Sequence, residues 1–161
     1  MKGQERVKAA LQGAGLDIDI VHLDASARTA ELAAKALSTR LGSIVKSLVF
    51  LADGDPVLVL VAGDRRASPD KLKRLLKARR VMIADADRVR EATGFSIGGV
   101  PPLGFLQPLP VWIDMSLSRF ETVHAAAGHP RAVFPIAYEA LVRITGGKAA
   151  DVTEDPRDEK P

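Results

Sequence analysis

The fold class that this chain predicts is α+β: a single domain around a mixed, mainly antiparallel β-sheet of about seven strands, with four or five surrounding helices. Three observations carry that expectation. Segments with the helical apolar period and segments with strand alternation follow one another in irregular order, not as repeated strand–helix pairs. Asp53-Gly54 stands between two β-branched runs, a strong signal for an antiparallel hairpin. The 161 residues contain no internal repeat and no cysteine. A chain of that length buries roughly two-thirds of its unfolded surface as one domain, so it needs no disulfide staples.

Taken in order, residues 4–14 form a helix with Val7, Leu11 and Ala14 on one stripe and Gly15 as a left-handed stop. Ile18, Ile20 and His22 alternate with Asp17, Asp19 and Val21, which predicts a half-buried edge strand in which His22 is structural. Thr29 N-caps a second helix, with Glu31 in its first turn, Leu32, Ala33, Ala36 and Leu37 on its apolar stripe, and Gly42 at its end. Ile44 to Ala52 is apolar on both faces except at Lys46 and Ser47, the pattern of a covered central strand, and its hairpin partner is Val57 to Ala62. Ser68 and Pro69 start a helix that turns Leu72, Leu75 and Leu76 to the core. A short strand over Val81 to Ala84 and a helix capped by Asp85 or Asp87 and ended by Gly94 come next. Leu109 to Met115 reads as a strand delivering Asp114 at its end. Strands over Thr122 to Ala127 and Ala132 to Ile136 and a helix over Tyr138 to Thr145 complete a domain set at residues 1–148. Residues 149–161, polar and charged, are expected to be a disordered tail.

Composition narrows the chemistry. Without cysteine, thiolate catalysis and Cys-ligated zinc are excluded, and a reducing compartment, the cytoplasm, is the expected home. No segment approaches the ~18 apolar residues of a membrane span, and the charged start is not a signal peptide. His22, His124 and His129 show no metal-ligand spacing, so neither a metal nor another cofactor is expected. Lys and Arg number 23 against 20 Asp and Glu, and this small excess says little by itself. Its distribution says more: Arg65 to Arg80 holds eight basic residues against one acid, Asp70. Such a run is either a solvated helix face or a surface for a polyanion, most simply nucleic-acid phosphate, with Arg65, Arg66, Lys71, Lys73, Arg74 and Lys77 as the contacts.

The most distinctive stretch is Thr93 to Phe105. Gly98, Gly99 and Gly104 let another molecule approach the backbone, while Pro101 and Pro102 fix two φ angles and remove two donors. Its apolar residues, Phe95, Ile97, Val100, Leu103 and Phe105, suit a binding loop better than a solvated connection. Gly94-Phe95-Ser96-Ile97-Gly98 matches the G-x-S-x-G pattern of serine hydrolases, but a helical pattern precedes it and Gly-Val-Pro-Pro follows, against the strand–turn–helix setting that elbow requires. Lys46 is the other anomaly. On the face of Ile44, Leu48 and Phe50, its ammonium must reach an anion, open onto a cavity, suffer a lowered pKa, or snorkel to solvent.

Together, Thr29-Ala30 with Ala33-Ala34, Ile44-Val-Lys-Ser-Leu-Val-Phe, Thr93-Gly-Phe-Ser-Ile-Gly-Gly-Val-Pro-Pro-Leu-Gly and Ile113-Asp114 resemble the YbaK family, the domain related to the editing insertion of bacterial prolyl-tRNA synthetases. The resemblance spans about residue 5 to residue 147 and implies the YbaK-like α+β fold. It further implies a free-standing, metal-independent deacylase that hydrolyses mischarged aminoacyl-tRNA in trans. The implied partners are the acceptor end of aminoacyl-tRNA, above all tRNA(Pro), and prolyl-tRNA synthetase. Lys46 corresponds to the family's required lysine, and Gly98, Gly99, Val100, Pro101 and Pro102 to its Gly-x-x-x-Pro loop. Leu103, Gly104, Thr29, Asp114, Gly128 and His129 follow as candidates to line the pocket. Loop N–H groups would polarise the ester carbonyl as water attacks, with a ribose or substrate hydroxyl positioning the water, so no side chain need be a nucleophile. The Cys-specific bacterial deacylases carry a small polar residue where Pro101 stands. A pocket edged by Val100, Pro101, Phe50 and Val61 favours Ala or 2-aminobutyrate, with Cys, Ser and Thr as further substrates. Two readings from other classes stand beside this one: a tRNA- or synthetase-binding module without chemistry, and a serine esterase using Ser96.

Overall fold

The computed structural model describes residues 3–27 and 29–155. Its centre is a five-stranded sheet of order β4-β2-β3-β5-β8, made of β2 (Val45–Ala52), β3 (Asp55–Ala62), β4 (Val81–Ile83), β5 (Val111–Asp114) and β8 (Lys148–Ala150). Asp53 and Gly54 both take left-handed φ, 51° and 88°, the conformation a tight hairpin needs, and the whole of β2 pairs antiparallel with β3. β3 and β8 pair parallel to β5, so the sheet is mixed. A second, antiparallel sheet of order β1-β7-β6 comprises β1 (Val21–His22), β6 (Thr122–His129) and β7 (Ala132–Ala137). The α+β class and the hairpins are as the sequence predicts. The single sheet becomes two, joined where Ile44 bridges His124.

Helices α1 (Gly3–Gly13), α2 (Ala30–Ala36), α3 (Pro69–Leu76), α4 (Ala86–Thr93) and α5 (Tyr138–Thr145) cover these sheets. One core lies between them, from Val45, Val49, Leu58 and Leu60 on one side to Val123, Ala125 and Phe134 on the other, with Val7 and Leu11 of α1 inserted. A second layer, Phe50, Val57, Val59, Val61, Leu72 and Val152, fills the opposite face of the larger sheet under α3. The expected caps form: Thr29 Oγ1 accepts from Leu32 N, Ser68 Oγ from Lys71 N, and Asp85 from Arg88 N. Among the described residues no helix is long and apolar enough to cross a membrane.

Three local readings are corrected. The strand expected over Ile18–His22 is only Val21–His22, because Ile18 and Ile20 pack against the core without ladder partners. The second helix stops at Ala36, where Ser38 turns left-handed at φ 53°, and Leu32 is exposed. Gly42 instead sits in a 3-10 turn over Leu41–Ser43, where a Cβ would lie 2.9 Å from Asp64 Oδ2 and from the Phe120 ring. Asp64 is itself held by Arg119 in a two-pronged ion pair at 2.7 and 3.0 Å, and that guanidinium keeps its carboxyl below the usual range.

The third correction concerns the C-terminus, where the chain is folded from residue 149 through 155. Lys148–Ala150 adds a strand to β5, Val152 is fully buried, and Ser68 N donates to Val152 O. Residues 156–161 of the expected tail lie outside the described residues. What holds this segment is Asp114, 1% exposed. Its Oδ1 accepts from Val152 N at 2.9 Å and Thr153 Oγ1 at 3.1 Å, and its Oδ2 from Ser116 N at 3.0 Å and from Ser116 Oγ. Asp114, expected in the pocket, is thus a buried structural acceptor. Replacing it by Ala strands several donors, an expected loss of about 3 kcal/mol, or roughly 6–12 °C in melting temperature for a domain of this size. Thermal unfolding followed by circular dichroism measures it, and an unchanged midpoint would remove Asp114 from this role.

Candidate active site

A cavity of about 360 Å³ opens where the two sheets meet. β4 pairs β2 only from Phe50 to Ala52, which leaves the first half of β2 without a ladder partner on that side. Val45, Lys46, Ser47 and Leu48 form one wall there; Ala27, Thr29, Ala30 and Ala33 of α2 and its approach form a second. His124 and Ala126 of β6, with Pro130 and Val133, form a third, and Ile97, Gly98 and Val100 of the glycine loop close the fourth. Residues remote in sequence therefore converge because β2 begins at the seam.

Lys46 lines this space from the open edge of β2, on the strand face it shares with Phe50, and it is not loose. Its Nζ donates to the backbone carbonyl of Arg65 at 2.6 Å, across the turn that follows β3. Burial, and after it the nearby Arg66 guanidinium, pushes the ammonium below its ordinary pKa. An ammonium carries three donors, so two remain for a ligand.

The loop opposite is braced from behind. Thr93 Oγ1 donates to Val89 O and accepts from Phe95 N, tying the end of α4 to buried Phe95. The Arg6 guanidinium lies 4.4 Å from the Phe95 ring centroid and donates to Gly94 O at 3.0 Å. Gly98 takes φ 90°, a backbone that L side chains rarely adopt. Gly99 packs against the β6–β7 turn so tightly that a Cβ would lie 2.9 Å from the His129 Cα and N. Its N–H donates to Ser96 O at 3.1 Å, closing the turn. Among the described residues the N–H groups of Ile97, Gly98 and Val100, all in residues that line the cavity, have no such partner, whereas that of Gly99 is spent.

Of the residues singled out from sequence, the structure brings together Lys46, Gly98, Val100 and Thr29. Gly99 and Gly128 lie behind the wall as packing, a Cβ at Gly128 falling 3.0 Å from the Gly3 backbone, whereas the His129 side chain is exposed and its Nδ1 accepts from Arg131 N. Pro101 and Pro102 are buried; Leu103 packs on the main core and Gly104 against α1. Phe50 and Val61 do not edge the cavity. At 5% and 0% exposure they belong to the core layer under α3, since β2 and β3 turn those side chains to the far face of the sheet. Ser96 is exposed, and its Oγ is bonded by Arg90 Nη2 at 3.0 Å with a helix before it, which gives the esterase reading no support. The basic run divides as well. Arg66, Lys73, Arg74 and Lys77 are exposed. Arg65 Nε lies 3.8 Å from Asp64, and Lys71 Nζ is paired at 2.8 Å with both Asp151 and Asp155.

Sequence reasoning passed over Ser47, His124, Ala126 and Pro130. His124 was legible only as a lone histidine in a strand, and its place here depends on the bridge to Ile44.

The profile of the aminoacyl-tRNA editing domain matches residues 24–144, from before α2 to the end of α5. The chain belongs to this family. The uncharacterized Bacillus subtilis protein YwhH is 32% identical over 138 residues, covering 85% of this chain and 88% of its own. The proline–tRNA ligase of Moorella thermoacetica is 40% identical over 88 residues, 55% of this chain but 15% of that enzyme, so the match there is to part of a larger protein. A crystal structure described as a candidate trans-editing enzyme for prolyl-tRNA synthetase superposes with a TM-score of 0.90 at 41% identity, covering 96% of this chain and 98% of that one. The hypothetical protein APE2540 superposes at 0.85 with 30% identity, over 92% and 99% of the two chains. The editing-domain profile thus covers about three quarters of the chain.

Because the Gly99 position is filled by backbone, Gly99→Ala must push the loop off His129. The expected result is a stability loss of about 1–3 kcal/mol with a larger fractional loss of any activity at the cavity. Gly13→Ala, where a Cβ meets nothing within 4 Å, is the control. Equal behaviour of the two variants would contradict the packing argument.

Proposed function

We propose that the cavity binds the aminoacylated 3′ end of a mischarged tRNA, tRNA(Pro) in the first instance, and hydrolyses the ester, acting in trans in the cytoplasm. The observation that carries this reading is that Lys46 and the loop residues Gly98 and Val100, whose N–H groups have no partner among the described residues, line one cavity of an editing domain. Water attacks the ester carbonyl carbon, and the carbonyl oxygen takes up negative charge facing the two N–H groups. The Lys46 ammonium, fixed by Arg65 O, offsets that charge or holds the terminal nucleotide. The C–O bond to the ribose then breaks, and the ribose hydroxyl leaves with the proton that the attacking water gives up. No protein nucleophile takes part, and a ribose hydroxyl beside the ester orients the water.

The lining is made of Ala, Val, Ile and Leu with few polar groups, which suits a small amino acid. Exposed Arg66, Lys73, Arg74 and Lys77 suit the phosphates of the acceptor stem, and Lys71 is left to its two aspartates.

Lys46→Met tests the chemistry and the energetics together. Deacylation of alanyl-, 2-aminobutyryl-, seryl-, threonyl- and cysteinyl-tRNA(Pro) is expected to fall about 10²–10³-fold in rate, the usual effect of removing an oxyanion-stabilising group. The melting temperature should stay level or rise, because the wild-type fold bears the burden of a partly desolvated ammonium. Tight tRNA binding by wild type with no ester lost faster than in buffer would favour a binding module without chemistry.

The basic surface gives a separate test. Lys73→Glu combined with Arg74→Glu and Lys77→Glu should raise KM for tRNA and flatten its dependence on salt by about 0.7–0.9 in log–log slope per lost phosphate contact, with kcat little altered. A parallel salt dependence in wild type and variant would remove this face from tRNA binding.

A further inference from the structure

The cavity contains two polar groups that the proposed mechanism does not use. Ser47 Oγ and His124 Nδ1 are buried and have no hydrogen-bond partner among the described residues. The other polar side chains of the wall are engaged: Thr29 Oγ1 caps α2, and Lys46 Nζ is bonded to Arg65 O. Leaving such a group buried without a partner costs about 1–3 kcal/mol, and this fold has two in one cavity. Outside the cavity the further buried atoms of this kind among the described residues belong to the guanidinium groups of Arg6 and Arg88, which donate through Nη2 to Gly94 O and Gly54 O, and the side chains of Asp114 and Thr93 are bonded. The positions are also ordered. Alternation along β2 turns Ser47 to the face opposite Lys46, toward the seam between the sheets, and the Ile44–His124 bridge brings β6 against the start of β2 there. With the ester placed beside Lys46 and Gly98, as the proposed function has it, the aminoacyl side chain would extend to the part of the lining formed by Ser47 and His124.

We infer that Ser47 and His124 are specificity-determining residues that recognise a side-chain hydroxyl, making seryl and threonyl esters the preferred substrates over alanyl and 2-aminobutyryl ones. This deepens the proposed function and rests on it for the site, not for the selectivity. Burial holds the His124 imidazole below its ordinary pKa, so at neutral pH it is uncharged, with one N–H and one lone pair. A serine hydroxyl likewise both donates and accepts. Two such neutral groups match a substrate hydroxyl, which also does both. The α-ammonium of the aminoacyl group would call for a carboxylate, and no Asp or Glu lines the cavity among the described residues. The large apolar side chains of Phe50 and Val61 are absent from its lining. Sites built to hydrogen-bond a hydroxyl discriminate far more sharply than apolar pockets that sense one methylene.

The experiment uses two matched pairs, seryl against alanyl and threonyl against 2-aminobutyryl, each differing by one hydroxyl, as esters of tRNA(Pro). Wild type should favour the hydroxylated member of each pair by roughly tenfold or more in kcat/KM. Ser47→Ala and His124→Leu should bring both ratios toward one, and His124→Asn, which keeps a polar atom near the Nδ1 position, should restore part of the preference; thermal melts check that each variant is folded. Equal rates within the wild-type pairs, or variants that depress all four esters alike, would overturn the inference and assign the two groups to the common ammonium or ribose. Binding of non-hydrolysable 3′-seryl- and 3′-alanyl-amide adenosine by calorimetry separates the two claims. A roughly tenfold tighter seryl amide without hydrolysis of any ester sinks the deacylase reading and keeps the hydroxyl site, whereas hydrolysis without preference in either assay does the reverse.

Discussion

The contact on which the site depends is the 2.6 Å hydrogen bond from Lys46 Nζ to the carbonyl of Arg65. A lysine at the start of an apolar strand would otherwise swing to solvent on four flexible carbons, and a swinging charge stabilises nothing in particular. The carbonyl is fixed because its turn is fixed from both ends. On one side Gly63 N donates to Ile44 O, and Gly63 packs so closely on Leu41 that a Cβ would lie 2.5 Å from its carbonyl oxygen. On the other, Glu154 N donates to Arg66 O and Ser68 N to Val152 O. The C-terminal segment, itself anchored on Asp114, thereby acts on a lysine more than a hundred positions away in the chain. Asp114 lies outside the cavity yet supports the geometry inside it.

The glycine loop is positioned by similar indirect means. Its free N–H groups matter only if they stay aimed at the cavity, and a loop with three glycines has entropy against it. Pro101 and Pro102, buried, remove part of that freedom. The rest is removed by α1, whose Arg6 stacks on Phe95 and bonds Gly94 O, and by the β6–β7 turn, whose backbone fills the place of a Gly99 side chain. One N–H of the three consecutive ones is spent on closing the turn to Ser96. That use of Gly99 is structural, and it leaves the N–H groups of Gly98 and Val100 on either side unspent among the described residues.

What could be read from sequence follows the range of the interactions. Helices α1, α3, α4 and α5, the hairpin of β2 and β3, and the caps at Thr29, Ser68 and Asp85 arise from neighbours within a few residues, and period and capping chemistry expose them. Lys46 was legible because a charge in an apolar strand breaks a local rule, and Gly98 and Val100 because a Gly/Pro cluster with apolar residues does so too. Strand β8 escaped because three residues, Lys-Ala-Ala, carry no strand signal and gain their place only by pairing with β5. The wrong placement of Phe50 and Val61 has the same origin. Alternation gives two faces of a strand, but which face meets the cavity is decided by where β4 stops pairing and where β6 crosses the seam, both facts of topology. His124 is the extreme case, since nothing beside it in the chain distinguishes it from a surface histidine.

The distribution of unfavourable groups gives the strongest physical argument for where function lies. This fold satisfies buried polarity with care: Asp114 accepts from four donors, Thr93 serves two backbone groups, and the Arg119–Asp64 pair is two-pronged. A chain able to do this has no structural need for a desolvated lysine, a left-handed glycine, an unpaired serine and an unpaired imidazole. All four line a single cavity. Each costs on the order of a kilocalorie per mole or more, and the other buried unbonded atoms among the described residues are the Nε atoms of guanidinium groups, Arg6 and Arg88, that are bonded through another nitrogen. The concentration of the four at the seam between two sheets, walled by small aliphatic side chains, is the pattern of a site whose polar demands are met by what it binds. The same concentration makes the cavity the place where substitutions that raise stability should most readily lower activity.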